Sequence, residues 1–225
     1  MTDLDAGTLD AGTLDAATKK VVVISAGLST PSSTRQLADR LLADSAAMLR
    51  ERGIEVEART FELRDLAHDI TNHLLMGFAP PKLQDALDAV ASADGLIAVT
   101  PIFTTSYAGL FKSFIDVIDP QALTDLPVLI GATGGTPRHS LAIDYAIRPL
   151  FTYLHATPVT TGVFAATGDW GDGGGDGVRS LPDRIARGAS EFAELVARTD
   201  RSDRIIDPFA LDRPMGHLLG GLAGE

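Results

Sequence analysis

Val21-Val22-Val23-Ile24-Ser25-Ala26-Gly27-Leu28-Ser29-Thr30-Pro31-Ser32-Ser33-Thr34 is the stretch whose reading decides the fold. Its first four residues are a continuous apolar, β-branched run, the mark of a strand buried on both faces. A parallel sheet covered by helices on both sides provides that environment. The hydroxyl-rich segment that follows ends where Leu37, Leu41, Met48 and Leu49 trace one face of a helix, with Gly53 at its C-terminal end. The unit is strand, loop, helix, and it recurs. Ile54–Thr60 reads as a second strand. Leu83, Ala86, Leu87 and Val90 mark a helix opened by Pro80-Pro81. Gly95–Thr100 reads as a third strand, and Leu110, Phe111, Phe114, Ile115 and Ile118 mark the next helix. Val128–Ala132 is a fourth strand, followed by a long helix from about Pro137 to about His155. Thr157–Ala165 is a fifth strand and Leu181–Ala197 a last helix.

Five strands alternating with helices predict an α/β, doubly wound parallel sheet of flavodoxin-like order 2-1-3-4-5, with helices on both faces. Such a sheet binds ligands at the carboxyl ends of its strands, beside the point where strand order reverses. Here those ends lead into three loops: Ser25–Thr34, Thr100–Ser106 and Thr133–Arg138.

Composition narrows the classes of function. The chain has 225 residues, 45% hydrophobic and 22% charged, which suits one soluble domain with terminal extensions. A formal net charge of -11 repels nucleic acid and anionic lipid, so neither is expected as a partner. It leaves room for an anionic ligand, which a ring of backbone N–H groups holds locally. Absence of cysteine excludes thiol chemistry, disulfides and cysteine-ligated metal centres. No apolar run is long enough to span a membrane and the N-terminus lacks a secretion signal, so a cytoplasmic location is expected. Asp5-Ala6-Gly7-Thr8-Leu9 recurs from Asp10 and starts again at Asp15; residues 1–18 read as a flexible acidic tail, 19–198 as the folded domain, and 199–225 as a C-terminal tail. Gly171–Gly177 is glycine-rich and reads as a disordered stretch or a lid.

Each loop has a plain reading and a sharper one. Five Ser or Thr residues between Ser29 and Thr34 exceed the single hydroxyl that capping needs, which favours a phosphate cradle over a simple N-cap at Ser32 or Ser33. The segment is neither G-x-G-x-x-G nor a P-loop. In the second loop Phe103 either lies against a flat ring or folds back on the core, while Thr104–Ser106 offer hydroxyls and N–H groups. In the third, Gly134-Gly135 permits close backbone approach to a ligand or merely a tight turn, and His139 reads as a polar helix-start residue. No Ser/His/Asp or paired-carboxylate constellation stands out.

Taken together, Pro31-Ser32-Ser33-Thr34, Thr100-Pro101-Ile102-Phe103 with Ser106-Tyr107-Ala108-Gly109-Leu110-Phe111-Lys112, and Ala132-Thr133-Gly134-Gly135-Thr136-Pro137-Arg138-His139 resemble the NADPH-dependent FMN reductases of the flavodoxin-like superfamily. The branch serving alkanesulfonate monooxygenases, and actinobacterial reductases paired with luciferase-like monooxygenases, are the most similar. The run Leu141–Leu150 matches too, and the resemblance covers roughly residues 20–165. It implies FMN phosphate contacts from Ser29, Ser32 and Thr34. It implies isoalloxazine contacts around Pro101, Ile102, Phe103 and Ser106, and ring-edge contacts from Thr133, Gly134 and Gly135. It also implies reduction of FMN by NADPH, with NADH open, and delivery of reduced FMN to a flavin-dependent monooxygenase. Hydride transfer between two rings asks for orientation rather than side-chain acids or bases, so binding residues are expected and no catalytic residue is named. Relatives often carry an arginine inside the first loop, where this chain has Thr30 and Ser33, and Arg35 is the substitute at hand. Many have tyrosine where Phe103 stands.

Alternatives on the same fold are an FMN-bound quinone or azo-dye reductase and a flavodoxin-type electron carrier. A fold-related module with no flavin at all is the blandest reading. The resemblance implies a homodimer or homotetramer, and Leu141, Tyr145, Leu150, Phe151, Tyr153 and Leu154 spread around the long helix more widely than one sheet needs. Pro149 cannot donate to the carbonyl of Tyr145, so the helix is predicted to kink or widen there, as in a π-bulge. In the resembling branch a tyrosine at this place marks a π-helical insertion at a subunit interface, which makes Tyr145 the interface candidate.

Overall fold

A computed structural model of the chain describes residues 17–171 and 179–201. Its strands are β1 (Thr18–Ser25), β2 (Glu55–Glu62), β3 (Gly95–Phe103), β4 (Ser106–Tyr107), β5 (Pro127–Gly134), β6 (Thr157–Pro158) and β7 (Val163–Ala166). The helices are α1 (Ser33–Arg50), α2 (Ala67–Met76), α3 (Pro81–Ala91), α4 (Gly109–Asp116), α5 (Arg148–Tyr153) and α6 (Leu181–Arg198). The main path through the sheet is β2-β1-β3-β5-β6, all parallel, which is the predicted order.

The count of seven strands departs from the predicted five for two local reasons. The segment read as a loop after the third strand is a hairpin. β3 runs on to Phe103, turns at Thr104 and Thr105, and pairs antiparallel with β4 through Ile102↔Tyr107 and Phe103↔Ser106. The predicted fifth strand is also broken. Two more residues separate Thr157 from Val163 than separate their partners Pro127 and Gly131 on β5, so the chain bulges between β6 and β7. Side chains take up the backbone groups the bulge frees. Arg148 donates to the carbonyls of Val159 (2.7 Å) and Thr160 (2.9 Å). The Thr161 N–H and hydroxyl both donate to Glu191, each at 2.7 Å. Burial pushes the Glu191 carboxyl up, but the bonds from Thr161 and from Arg187 outweigh it and hold the group below its ordinary value.

Side-chain alternation along the strands sorts the core into two layers. Val22, Ile24, Leu96, Ala98, Val128 and Ile130 meet α3, α4 and α5 on one face. Val21, Val23, Ile97, Val99 and Leu129 meet α1 and α6 on the other. Sequence reasoning missed α2 because it carries little periodicity: only Ile70 is buried, while Leu74, Leu75 and Met76 are exposed.

The long helix predicted after the fourth strand is three pieces. A 3-10 turn spans Pro137–His139, a π-helix Ile143–Ile147, and α5 follows. The Arg148 N–H reaches the carbonyl of Ile143, five residues back, and Pro149 opens α5 where no N–H is required. The widening predicted around Tyr145 is therefore present. Of the apolar residues expected to spread outward, Phe151 and Leu154 are buried in the protein's own core and Leu150 packs against it; Leu141, Tyr145 and Tyr153 are exposed. Past α6, Arg201 is buried and donates to the carbonyls of Ala93 and Ala122, so packing extends at least that far. The N-terminal repeat, most of the 171–177 stretch and the tail from 202 onward lie outside the described residues.

Candidate functional site

The carboxyl ends of β1, β3, β5 and β7 open into one cavity of about 540 Å³. Gly27, Leu28, Ser29, Ser33 and Thr34 line it from the first loop and the start of α1; Pro101, Ile102 and Phe103 come from the end of β3. Thr133, Gly134 and Gly135 follow from β5, and Thr167 and Trp170 from the turn after β7. Four segments distant in sequence thus converge because parallel strands end on one edge of the sheet. Among the described residues no charged side chain lines the cavity.

At one end stands α1, an 18-residue helix with no acidic side chain in its first turn, so its partial positive charge is left for a ligand. Ser32 is its N-cap. The Ser32 hydroxyl accepts from the Arg35 N–H at 3.2 Å, and the residue is buried outside the cavity lining. The capping reading of the first loop therefore holds for Ser32, while Ser29, Ser33 and Thr34 face the cavity. Gly27 is required here: a Cβ would lie 2.0 Å from the Ser32 hydroxyl oxygen. Thr34 and Thr133, both buried, join the first and third loops through their hydroxyls at 2.8 Å. One proton serves that bond. The other hydroxyl proton is left to donate to a ligand oxygen.

Arg35 is not the substitute for a loop cation. Its Nε bonds Asp39 at 2.8 Å and its Nη1 bonds Glu62 at 2.9 Å, and the Asp39 bond above all raises its pKa despite partial desolvation. The cation on the loop itself is Arg64, which arrives from the 3-10 turn after β2. Its Nη1 donates to the Ser29 carbonyl at 3.0 Å and to the Thr30 hydroxyl.

At the other end Phe103 is 48% exposed, at the tip of the β3–β4 hairpin. Ser106 is half-buried in β4 and does not line the cavity. The third loop contributes Gly135, where a Cβ would meet nothing within 4 Å, and Gly134, where it would meet the Phe164 ring at 2.9 Å. Sequence reasoning missed Trp170 and Thr167. Trp170 is held by the Arg40 guanidinium 4.9 Å over its ring, and its neighbour Asp169 by Arg184 at 2.6 Å and the Ala166 N–H at 2.7 Å. As the chain's single tryptophan, placed just after a strand end, it carried a signal that could have been read.

The residues suit FMN. Uncompensated helix charge and spare hydroxyls would suit a phosphate at one end, and exposed aromatic and glycine surfaces would suit a flat ring at the other. Fold and site together define a flavodoxin-like α/β protein with a strand-end cavity whose lining would fit a phosphate and a flat ring. The model of the NADPH-dependent FMN reductase family matches residues 19–171, and the chain belongs to that family. It is 40% identical over 151 residues to an FMN reductase (NADPH) of Pseudomonas aeruginosa, covering 67% of this chain and 78% of the relative. It is 39% identical over 153 residues to the NADH-dependent FMN reductase SfnF of Pseudomonas fluorescens, covering 68% and 79%. The crystal structure of an oxidoreductase from Corynebacterium diphtheriae superposes with a TM-score of 0.77 at 45% identity, over 81% of this chain and 99% of that one.

Proposed function

We propose that this FMN reductase takes FMN into the strand-end cavity, reduces it with NADPH or NADH, and supplies the product to a flavin-dependent monooxygenase. The observation that carries the reading is the cavity's lining: hydroxyls and a helix N-terminus with no acidic side chain in its first turn at one end, Phe103 and paired glycines at the other, and no charged side chain among the described residues. FMN supplies the hydride-accepting chemistry when bound. The protein's own share is placement. Ser29, Ser33 and Thr34 bind the phosphate with the first N–H groups of α1. Pro101, Ile102 and Phe103 set the plane of the ring, and Thr133, Gly134 and Gly135 present backbone N–H groups and a hydroxyl to its polar edge, where negative charge grows on reduction. Ser32 acts through the loop by capping α1, and Ser106 by pairing with Phe103 across the hairpin.

Assembly as a homodimer or homotetramer belongs to the same reading. Leu141 (61% exposed), Tyr145 (80%) and Tyr153 (83%) stand on the π-helix and the segments flanking it, an apolar strip that a second copy would cover, with Tyr145 at the contact. No helix among the described residues is long and apolar enough to cross a membrane.

Trp170 makes the test direct. NADPH and NADH oxidation is measured with and without added FMN, while FMN is titrated against the emission of this single tryptophan. Oxidation that depends on FMN, with emission quenched as FMN binds, is the expected result. A protein inert to both nucleotides, with emission unmoved by FMN, overturns the reading. Light scattering that finds only a monomer overturns the assembly.

A further inference from the structure

The first loop has no lysine or arginine between Ser25 and Thr34, and among the described residues the lining of the cavity is neutral, yet the chain as a whole carries -11. A phosphate entering this end meets a repulsive background, and the described lining offers dipoles and hydroxyls to hold it. Dipoles work only if their direction is held, because a loop that reorients loses the preorganised field. The structure shows what holds it. Glu62, the last residue of β2, bonds two arginines at once: its Oε1 takes Arg35 Nη1 at 2.9 Å and its Oε2 takes Arg64 Nη2 at 3.1 Å. Arg35 stands in the first turn of α1, where the loop ends. Arg64 grips the loop near its start, at the Ser29 carbonyl and the Thr30 hydroxyl. One carboxylate, 19% exposed, thus ties both ends of the Ser29–Arg35 segment to the sheet.

The arrangement also orients a peptide group. With the Ser29 carbonyl directed at Arg64, the N–H of the same trans peptide, that of Thr30, points the opposite way. A carbonyl turned toward the ligand would repel phosphate; bound to Arg64, it is kept from doing so. The guanidinium is the positive charge bonded to the loop, and it stays outside the lining.

We propose that Arg64, held by Glu62, is a positioning residue for the phosphate end of the flavin site, standing in from the turn after β2 for a cation that the first loop lacks. This rests on the FMN reading above. It commits to a selectivity: Arg64 serves the phosphate and not the ring, so its loss separates FMN from riboflavin, which carries the same ring without the phosphate.

The experiment measures Kd for FMN and for riboflavin by Trp170 quenching, in the parent chain and in Arg64→Gln, Arg64→Lys and Glu62→Gln, with melting temperatures alongside. Arg64→Gln is expected to raise the FMN Kd by about tenfold, the scale of one lost charge-assisted interaction, and to leave the riboflavin Kd within about twofold. Arg64→Lys restores part of the FMN affinity through its charge but not the forked contact to loop and carboxylate. Glu62→Gln follows Arg64→Gln in direction. An Arg64→Gln chain with the parent's ratio of FMN to riboflavin affinity overturns the proposal, whether or not its melting temperature has fallen. A parent chain that binds neither flavin overturns the site reading and this inference with it. A parent that binds both equally removes the phosphate subsite alone.

Discussion

The two ends of the cavity are built by opposite rules. At the α1 end, polar groups are cross-linked: Ser32 caps the helix, Thr34 bonds Thr133 across two loops, and Glu62 joins Arg35 to Arg64. At the β3 end, Phe103 stands half in water on a two-residue turn of Thr104 (φ 48°) and Thr105 (φ 70°). Both are β-branched and both sit in the left-handed region that glycine and asparagine occupy readily in such hairpins. The difference teaches which requirement each end meets. Under the proposed function the α1 end binds an anion, which needs fixed dipoles, and the cross-linked order lies there. Under the proposed function, presenting an aromatic face to a ring needs exposure, and Phe103 has it beside this strained turn.

The sharpest way to break this contrast is at Gly27. A methyl group there displaces the Ser32 hydroxyl and with it the cap, so Gly27→Ala should destabilise the fold by about 2–4 kcal/mol, combining overpacking with a lost N-cap. Adding Ser32→Ala removes the oxygen that clashes, and the double variant should recover part of the loss. Denaturant melts of the four chains check it, and simple additivity would mean the two residues are not coupled.

At the other end the sign reverses. Thr104→Asn with Thr105→Gly should raise stability by about 1–2 kcal/mol, because asparagine and glycine adopt the same positive φ values at lower cost. A higher melting temperature with slower FMN reduction would show that the strain serves the site; a higher melting temperature with unchanged turnover would show that it does not. Smaller again is Phe103→Ala. Loss of one ring contact, worth roughly 0.5–1.5 kcal/mol, should slow turnover about threefold to tenfold. The melting temperature should barely move, since the ring is half exposed. A collapse in stability would make Phe103 a core residue.

The smallest effect lies at the bulge, away from both ends. Glu191 is held below its ordinary value of 4.5 in the folded chain. Its contribution is complete above that value and is lost as pH falls through the lower, folded one. The side chain is 28% exposed, so solvent screening keeps the contribution small. The difference in melting temperature between the parent and Glu191→Gln should shrink below about pH 4.5. A constant difference across that range would assign the effect to packing of Thr161 rather than to charge.

Much of this was legible in residue order. The β-branched apolar run Val21–Ile24 and the strand–helix alternation after it point to a parallel sheet, because strands buried on both faces carry such runs. Pro149 predicts a kink or a widening at Tyr145, because an imide nitrogen has no hydrogen to give, and the widening is what forms. Both are local consequences of covalent structure. Ring, glycine and hydroxyl residues at three strand ends were likewise readable as one site. Tertiary structure alone decided that Ser32 turns inward to cap while Ser33 faces the cavity, since neighbouring positions on a helix differ only by which side the sheet lies. It alone brought Arg64 onto the first loop and Trp170 over its helix. Those contacts join residues far apart in the chain, and hydrogen bonds and cation–π pairs leave no periodic trace in the segments that make them.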